Sequence, residues 1–211
     1  MLKIPLIIVA SIVSAFAVFL AAIWGFTLPA RLHAQKVLAA VSALQPGQST
    51  FEDIQGLAQT YSAQSNATVS GEGACSRELC EFTFAFANHP IGVLPGVERV
   101  SFGANVSIRS GQVSQVSVVY QRMAHRVPGA PDYTQYLYGV LNDAVRKDTE
   151  YGPKKETRDS AATPWLLLYR LGPRSTPTDK AKAFALDLSC LDSFTGCSGP
   201  SAIYPAGWQS W

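Results

Sequence analysis

The feature that most constrains this chain is its front. From Ile4 to Leu28 no residue is charged, and 20 of the 25 positions are apolar; the exceptions are Pro5, Ser11, Ser14, Gly25 and Thr27. As a helix rising about 1.5 Å per residue this run extends roughly 37 Å, enough to cross a hydrocarbon core of about 30 Å with some tilt. A cleaved signal peptide is the competing reading, with an apolar core of about 7–15 residues. Ser14-Ala15-Phe16-Ala17 has the small-residue spacing of a cleavage site, but it sits in mid-run and would leave residues 18–28 on the mature chain. Pro29-Ala30 is a weaker site. The expectation is an uncleaved transmembrane anchor over residues 1–28 and an exported domain over residues 29–211.

Flanking charge does not orient this segment, because Lys3 on one side is balanced by Arg31, His33 and Lys36 on the other. Cysteine usage does. The four cysteines form two close pairs, Cys75 with Cys80 and Cys190 with Cys197, each beside glycine and serine. Two local disulfides in an oxidising compartment account for that pairing, although spacing leaves the crossed connectivities open. A zinc site would call for tighter pairs or histidines, and no C-x-x-C redox motif is present. The cysteines therefore place the N-terminus in the cytoplasm and the bulk of the chain outside it, as a single-pass membrane protein.

Composition narrows the partners. Seventeen Lys and Arg against 15 Asp and Glu give a net charge of +2, far from the basic excess that neutralising phosphates requires, so nucleic acid is excluded. Charged residues make up only 15 %, and removing residues 1–28 takes away Lys3 alone. The exported part is therefore itself poor in charge and rich in Ser, Ala, Thr and Gln.

Helical periodicity continues past the apolar run. Val37, Leu38, Val41 and Leu44 mark one face, and Pro46-Gly47 stops the pattern. In Ser49-Thr50-Phe51-Glu52-Asp53 a capping box is expected from Ser49 and Glu52, opening a second helix with Ile54, Leu57, Ala58 and Tyr61 inward. After Asn66 the period becomes two: Phe82, Phe84 and Phe86 alternate with polar or small residues. Val100, Phe102, Ala104, Val106 and Ile108 do the same, and Val116, Val118 and Tyr120 return after a Ser110-Gly111 turn. Residues 133–145 fit a helix through Tyr133, Leu137, Val140, Leu141 and Ala144, but Gly139 and the alternation of Tyr136, Tyr138 and Val140 favour a strand. Nine charged residues between Arg146 and Asp159 read as a solvated loop. A strand is expected at Trp165 to Leu171, and a last helix from about Thr178 with Ala181, Phe184, Ala185 and Leu188 on one face. The fold class is α+β: a transmembrane helix, then a two-layer helix/antiparallel-sheet domain with a C-terminal helix.

The stretch from Leu44 to Ile54, with its glycine and capped helix ahead of strands, resembles the start of the small outer-membrane assembly lipoproteins of the SmpA/OmlA type. The resemblance covers residues 44–122 and implies a non-catalytic scaffold in envelope assembly. This chain differs in lacking a lipidation cysteine and in its long C-terminal extension with a cysteine pair of its own.

Catalytic motifs do not emerge. The histidines, His33, His89 and His125, stand apart; there is no G-x-S-x-G, H-E-x-x-H, Walker or G-x-G-x-x-G pattern, and no metal or cofactor is called for. Sequons at Asn66 and Asn105 do not identify the host. Two segments are more apolar than exposed chain needs to be: the loop holding Ile91, Val93 and Leu94, and the tail holding Trp208 and Trp211. They are the expected contacts to a partner protein or the membrane surface. The expected function is a non-catalytic, membrane-anchored protein acting by protein–protein interaction or envelope assembly; the alternative is an extracytoplasmic hydrolase with its acid–base residues scattered in loops.

Overall fold

In the computed structural model the described residues are 3–67, 74–88, 99–124, 133–142, 154–158, 166–171, 176–193 and 200–205. The apolar run and the first domain helix are one element. Helix α1 runs without interruption from Lys3 to Ala43, 41 residues or roughly 62 Å. Ile23, Thr27, Ala34, Val37, Val41 and Leu44, separated by three, four or seven residues, are all buried along one side of it, while Ile7 to Phe19 stand exposed. A 3.5-residue period keeps such positions in one seam, so the C-terminal half of α1 packs on the domain and the N-terminal half leaves it.

Helix α2 spans Phe51–Thr60 and buries Ile54 and Ala58, as its periodicity predicts. Its cap is one residue later than expected. Thr50 N–H and the Thr50 hydroxyl both donate to Asp53 Oδ2, at 2.7 and 3.1 Å. Ser49 instead accepts from Gln45 N–H through its hydroxyl, and Glu52 pairs with Arg77 at 3.0 Å. The register is set from outside the helix: Thr50 bridges to Gln112, and Phe51 N–H donates to the Gly111 carbonyl, so the connector is pinned to the sheet.

The sheet has seven strands: β1 Gln64–Asn66, β2 Leu79–Ala87, β3 Arg99–Arg109, β4 Gln112–Ala124, β5 Tyr133–Asn142, β6 Lys154–Arg158 and β7 Leu166–Leu171, in the order β1-β2-β3-β4-β5-β7-β6. Neighbours are antiparallel except β5 and β7, which run parallel. The hairpin between β3 and β4 turns at Ser110 and Gly111, both at positive φ (52° and 80°), the primed geometry of a two-residue hairpin. Its single register shift lies at Ser107/Ile108. At the other end of β3, Asn88 and Val100 exchange two 3.0 Å hydrogen bonds, which closes the β2–β3 pair there.

Alternation sorts the faces as expected. Phe82 and Phe84, Val100 to Ile108 at every second position, and Val116, Val118 and Tyr120 face α1 and α2 in the core. Thr83, Ser101, Asn105, Ser107, Ser117 and Gln121 occupy the other face and are half-buried. Those six polar positions are neutral, in keeping with the low charge of the sequence. Glu81 is the acid there, and burial pushes its carboxyl above the usual range.

Two expectations need correction in the second half, and a third holds. The charged stretch 146–159 is not loop throughout: Lys154–Arg158 forms β6, the edge strand, where charge is favoured because it discourages pairing with another chain. The strand reading of 133–145 holds as β5. The last long helix is short. Helix α3 covers only Pro177–Ala183, capped by Thr176 and Asp179, and Ala181 and Ala185 are exposed. The chain then turns so that Phe184, Leu188, Cys190 and Leu191 reach the core through a single 3-10 turn at Ser189–Asp192, and α4 covers Pro200–Ile203.

Candidate functional site

Two places in the described structure could carry function: the junction where α1 enters the domain, and a recess beneath α2. The junction is built by the 3-10 turn Ser189–Asp192, which packs on α1 and β3. Arg31 Nη1 donates to both carboxylate oxygens of Asp192 at 3.1 Å across 161 residues of sequence. The Asp192 side chain is 5 % exposed and that of Arg31 30 %, and the buried Arg31 Nε has no hydrogen-bond partner. Removing the carboxylate would leave a half-buried guanidinium unpaired. Asp192→Ala is expected to cost about 1–2 kcal/mol, less than a fully buried pair because water still reaches Arg31, and Arg31→Met combined with Asp192→Leu should recover most of it. Thermal unfolding in detergent micelles checks both; an unchanged midpoint for Asp192→Ala would show the pair is inert.

Two further contacts fasten α1. The Lys180 ammonium donates to the Leu44 carbonyl just past its C-terminal end, and partial burial holds that amine below its ordinary range. The His33 ring meets Tyr61 edge-on with centroids 5.4 Å apart. His33 is thus a packing contact between α1 and the end of α2.

The recess encloses about 390 Å³ between α2, β1 and the start of β2. Phe51, Ala58 and Phe82 line it with apolar surface, the two rings 5.6 Å apart; Gln55, Gln59, Ser62 and Ser65 supply neutral hydrogen-bonding groups. The Cys75–Cys80 disulfide, Cα atoms 4.7 Å apart, forms one wall through Cys75. No ionisable side chain is among these residues, so the chemistry they offer is apolar contact and neutral hydrogen bonding. Among the described residues no group of three His, Cys, Asp or Glu could hold a metal ion.

Of the residues singled out in the sequence, the structure joins Cys75 to Cys80 and has Cys190 buried and disulfide-bonded. Cys197, His89, His125, Ile91, Val93, Leu94, Trp208 and Trp211 lie outside the described residues. The recess and the Arg31–Asp192 pair carried no local signal, since each is assembled from distant segments of ordinary composition.

Comparison of the chain with family models, curated proteins and solved structures returned no match. Class is therefore carried by the fold alone: an α+β chain with, among the described residues, one helix long and apolar enough to cross a membrane.

Proposed function

We propose that this chain is a membrane-anchored exported protein, N-terminus cytoplasmic and domain extracytoplasmic, that acts without catalysis by binding another protein of the cell envelope. The observation that carries the reading is the continuity of α1. The helix that emerges from the apolar run is the same helix whose Ala34, Val37 and Val41 have no exposed surface. A domain joined this way is held at fixed height and orientation above its anchor, which suits presentation of a surface to a neighbour. Cleavage after Ala30 would remove Ile23 and Thr27 from that packing, which favours retention of the anchor. The Cys75–Cys80 disulfide favours an oxidising compartment.

The neutral recess fits an uncharged, partly apolar segment of a partner; the contacts expected from the sequence at Ile91, Val93, Leu94, Trp208 and Trp211 belong to the same reading. Helix, capped helix and antiparallel strands in that order are also what the resemblance to envelope-assembly lipoproteins implies. A photo-crosslinking amino acid at Gln59, at the recess, should give one discrete adduct in native membranes, and the same group at Gln48 on the α1–α2 connector should give none. Equal adducts from both positions, or none from Gln59, Leu94 and Trp208 alike, would defeat the binding reading.

A further inference from the structure

We propose that the hydrocarbon core of the membrane ends near Ala22, short of the end of the apolar run at Leu28, and that Trp24 and Phe26 lie in the lipid headgroup layer at the base of the domain. The inference rests on the anchor reading above and adds the depth at which the domain sits.

Three independent observations converge on that boundary. Burial along α1 begins at Ile23, which is 8 % exposed, and Thr27, which is fully buried, so other parts of the chain lie against the helix from that level on. A boundary at Leu28 would drag whatever covers Ile23 roughly 7 Å into hydrocarbon; one at Ala22 leaves it outside. The second observation is length. Residues 4–22 number 19 and span roughly 28 Å as a helix, close to a hydrocarbon thickness of about 30 Å, without the last six residues of the run.

The third is backbone chemistry. Pro29 lies inside α1 and has no amide hydrogen to give the Gly25 carbonyl one turn before it. Gly25 has no side chain to shield that oxygen, and nothing lies within 4 Å of where a Cβ would stand. In hydrocarbon a carbonyl without its helical donor has nothing to accept from, whereas headgroups and water satisfy it. One neighbouring side chain suits the same layer: Trp24 is 46 % exposed, and tryptophan is enriched at the membrane interface, while Phe26, two residues on, is 74 % exposed. Leu32, 45 % exposed, would stand roughly 15 Å beyond Ala22 and in water.

The described cysteines are all disulfide-bonded, so an introduced cysteine provides a free thiol to report on its surroundings. Full-length Val18→Cys, Phe26→Cys and Leu32→Cys chains in phosphatidylcholine vesicles would be reacted with a charged maleimide without reductant, which needs the thiolate and therefore water. Phe26→Cys should react within about threefold of Leu32→Cys, and Val18→Cys should be slower by about a hundredfold. Phe26→Cys as slow as Val18→Cys would overturn the proposal, as would equal rates at all three positions. Alkaline carbonate extraction separates the two levels: release from the vesicles removes the anchor reading itself, whereas retention with a slow Phe26→Cys removes only the depth.

Discussion

A chain carrying Val37→Asp should lose its cooperative unfolding transition. Val37 has no exposed surface and sits in the seam of α1, four residues before the fully buried Val41 and three after Ala34. A carboxylate there has no partner, and an unpaired buried charge costs a large part of the roughly 5–15 kcal/mol by which domains are stable. The expected loss exceeds about 4 kcal/mol. Thermal circular dichroism in micelles would show the transition vanish, and proteolysis would become rapid. Membrane retention should be unaffected, because residues 4–28 are untouched. A wild-type midpoint would mean that α1 is an anchor only and not part of the core.

Phe102→Ala tests the sheet in the same way and should cost about 3–5 kcal/mol. Phe102 is fully buried in β3, pairs with Phe86 on β2 and Tyr120 on β4, and stacks on Phe86 with centroids 6.3 Å apart. Truncation removes a ring from the middle of three strands whose backbones are held by the ladder and cannot close over the cavity. Phe102→Leu should recover most of the loss. In urea the midpoint should fall with an unchanged slope; a drop under about 1 kcal/mol would show that the site collapses around the cavity.

These two positions were legible before any coordinates. Val37 is marked by helical spacing and Phe102 by strict alternation, and both patterns report which side of one element faces inward. The same local logic identified the Ser110-Gly111 hairpin, because a two-residue turn needs positive φ and glycine accepts it readily. Where local logic offered two solutions, the choice came from elsewhere. Ser49 and Thr50 are both competent caps, and Thr50 prevails because the connector pairs with Gln112. Lys154–Arg158 has the charge of a loop, yet β7 supplies a strand for it to pair with. The C-terminal helix stops at Ala183 because the chain leaves it to bring Leu188 and Leu191 to the core, with Asp187 N–H donating to the Ile203 carbonyl.

By itself the sequence determined the apolar span, the inward faces of the first two helices and of strands β2, β3 and β4, and the poverty of charge, since each follows from residues within a few positions of one another. Only the tertiary structure decided that the span and the first core helix are one rod and that burial along it begins at Ile23. It alone joined Arg31 to Asp192 and folded Phe51, Gln59 and Phe82 around one recess. Those features depend on segments far apart in the chain meeting in space, and hydrophobic period carries no record of which distant partner an inward face will meet.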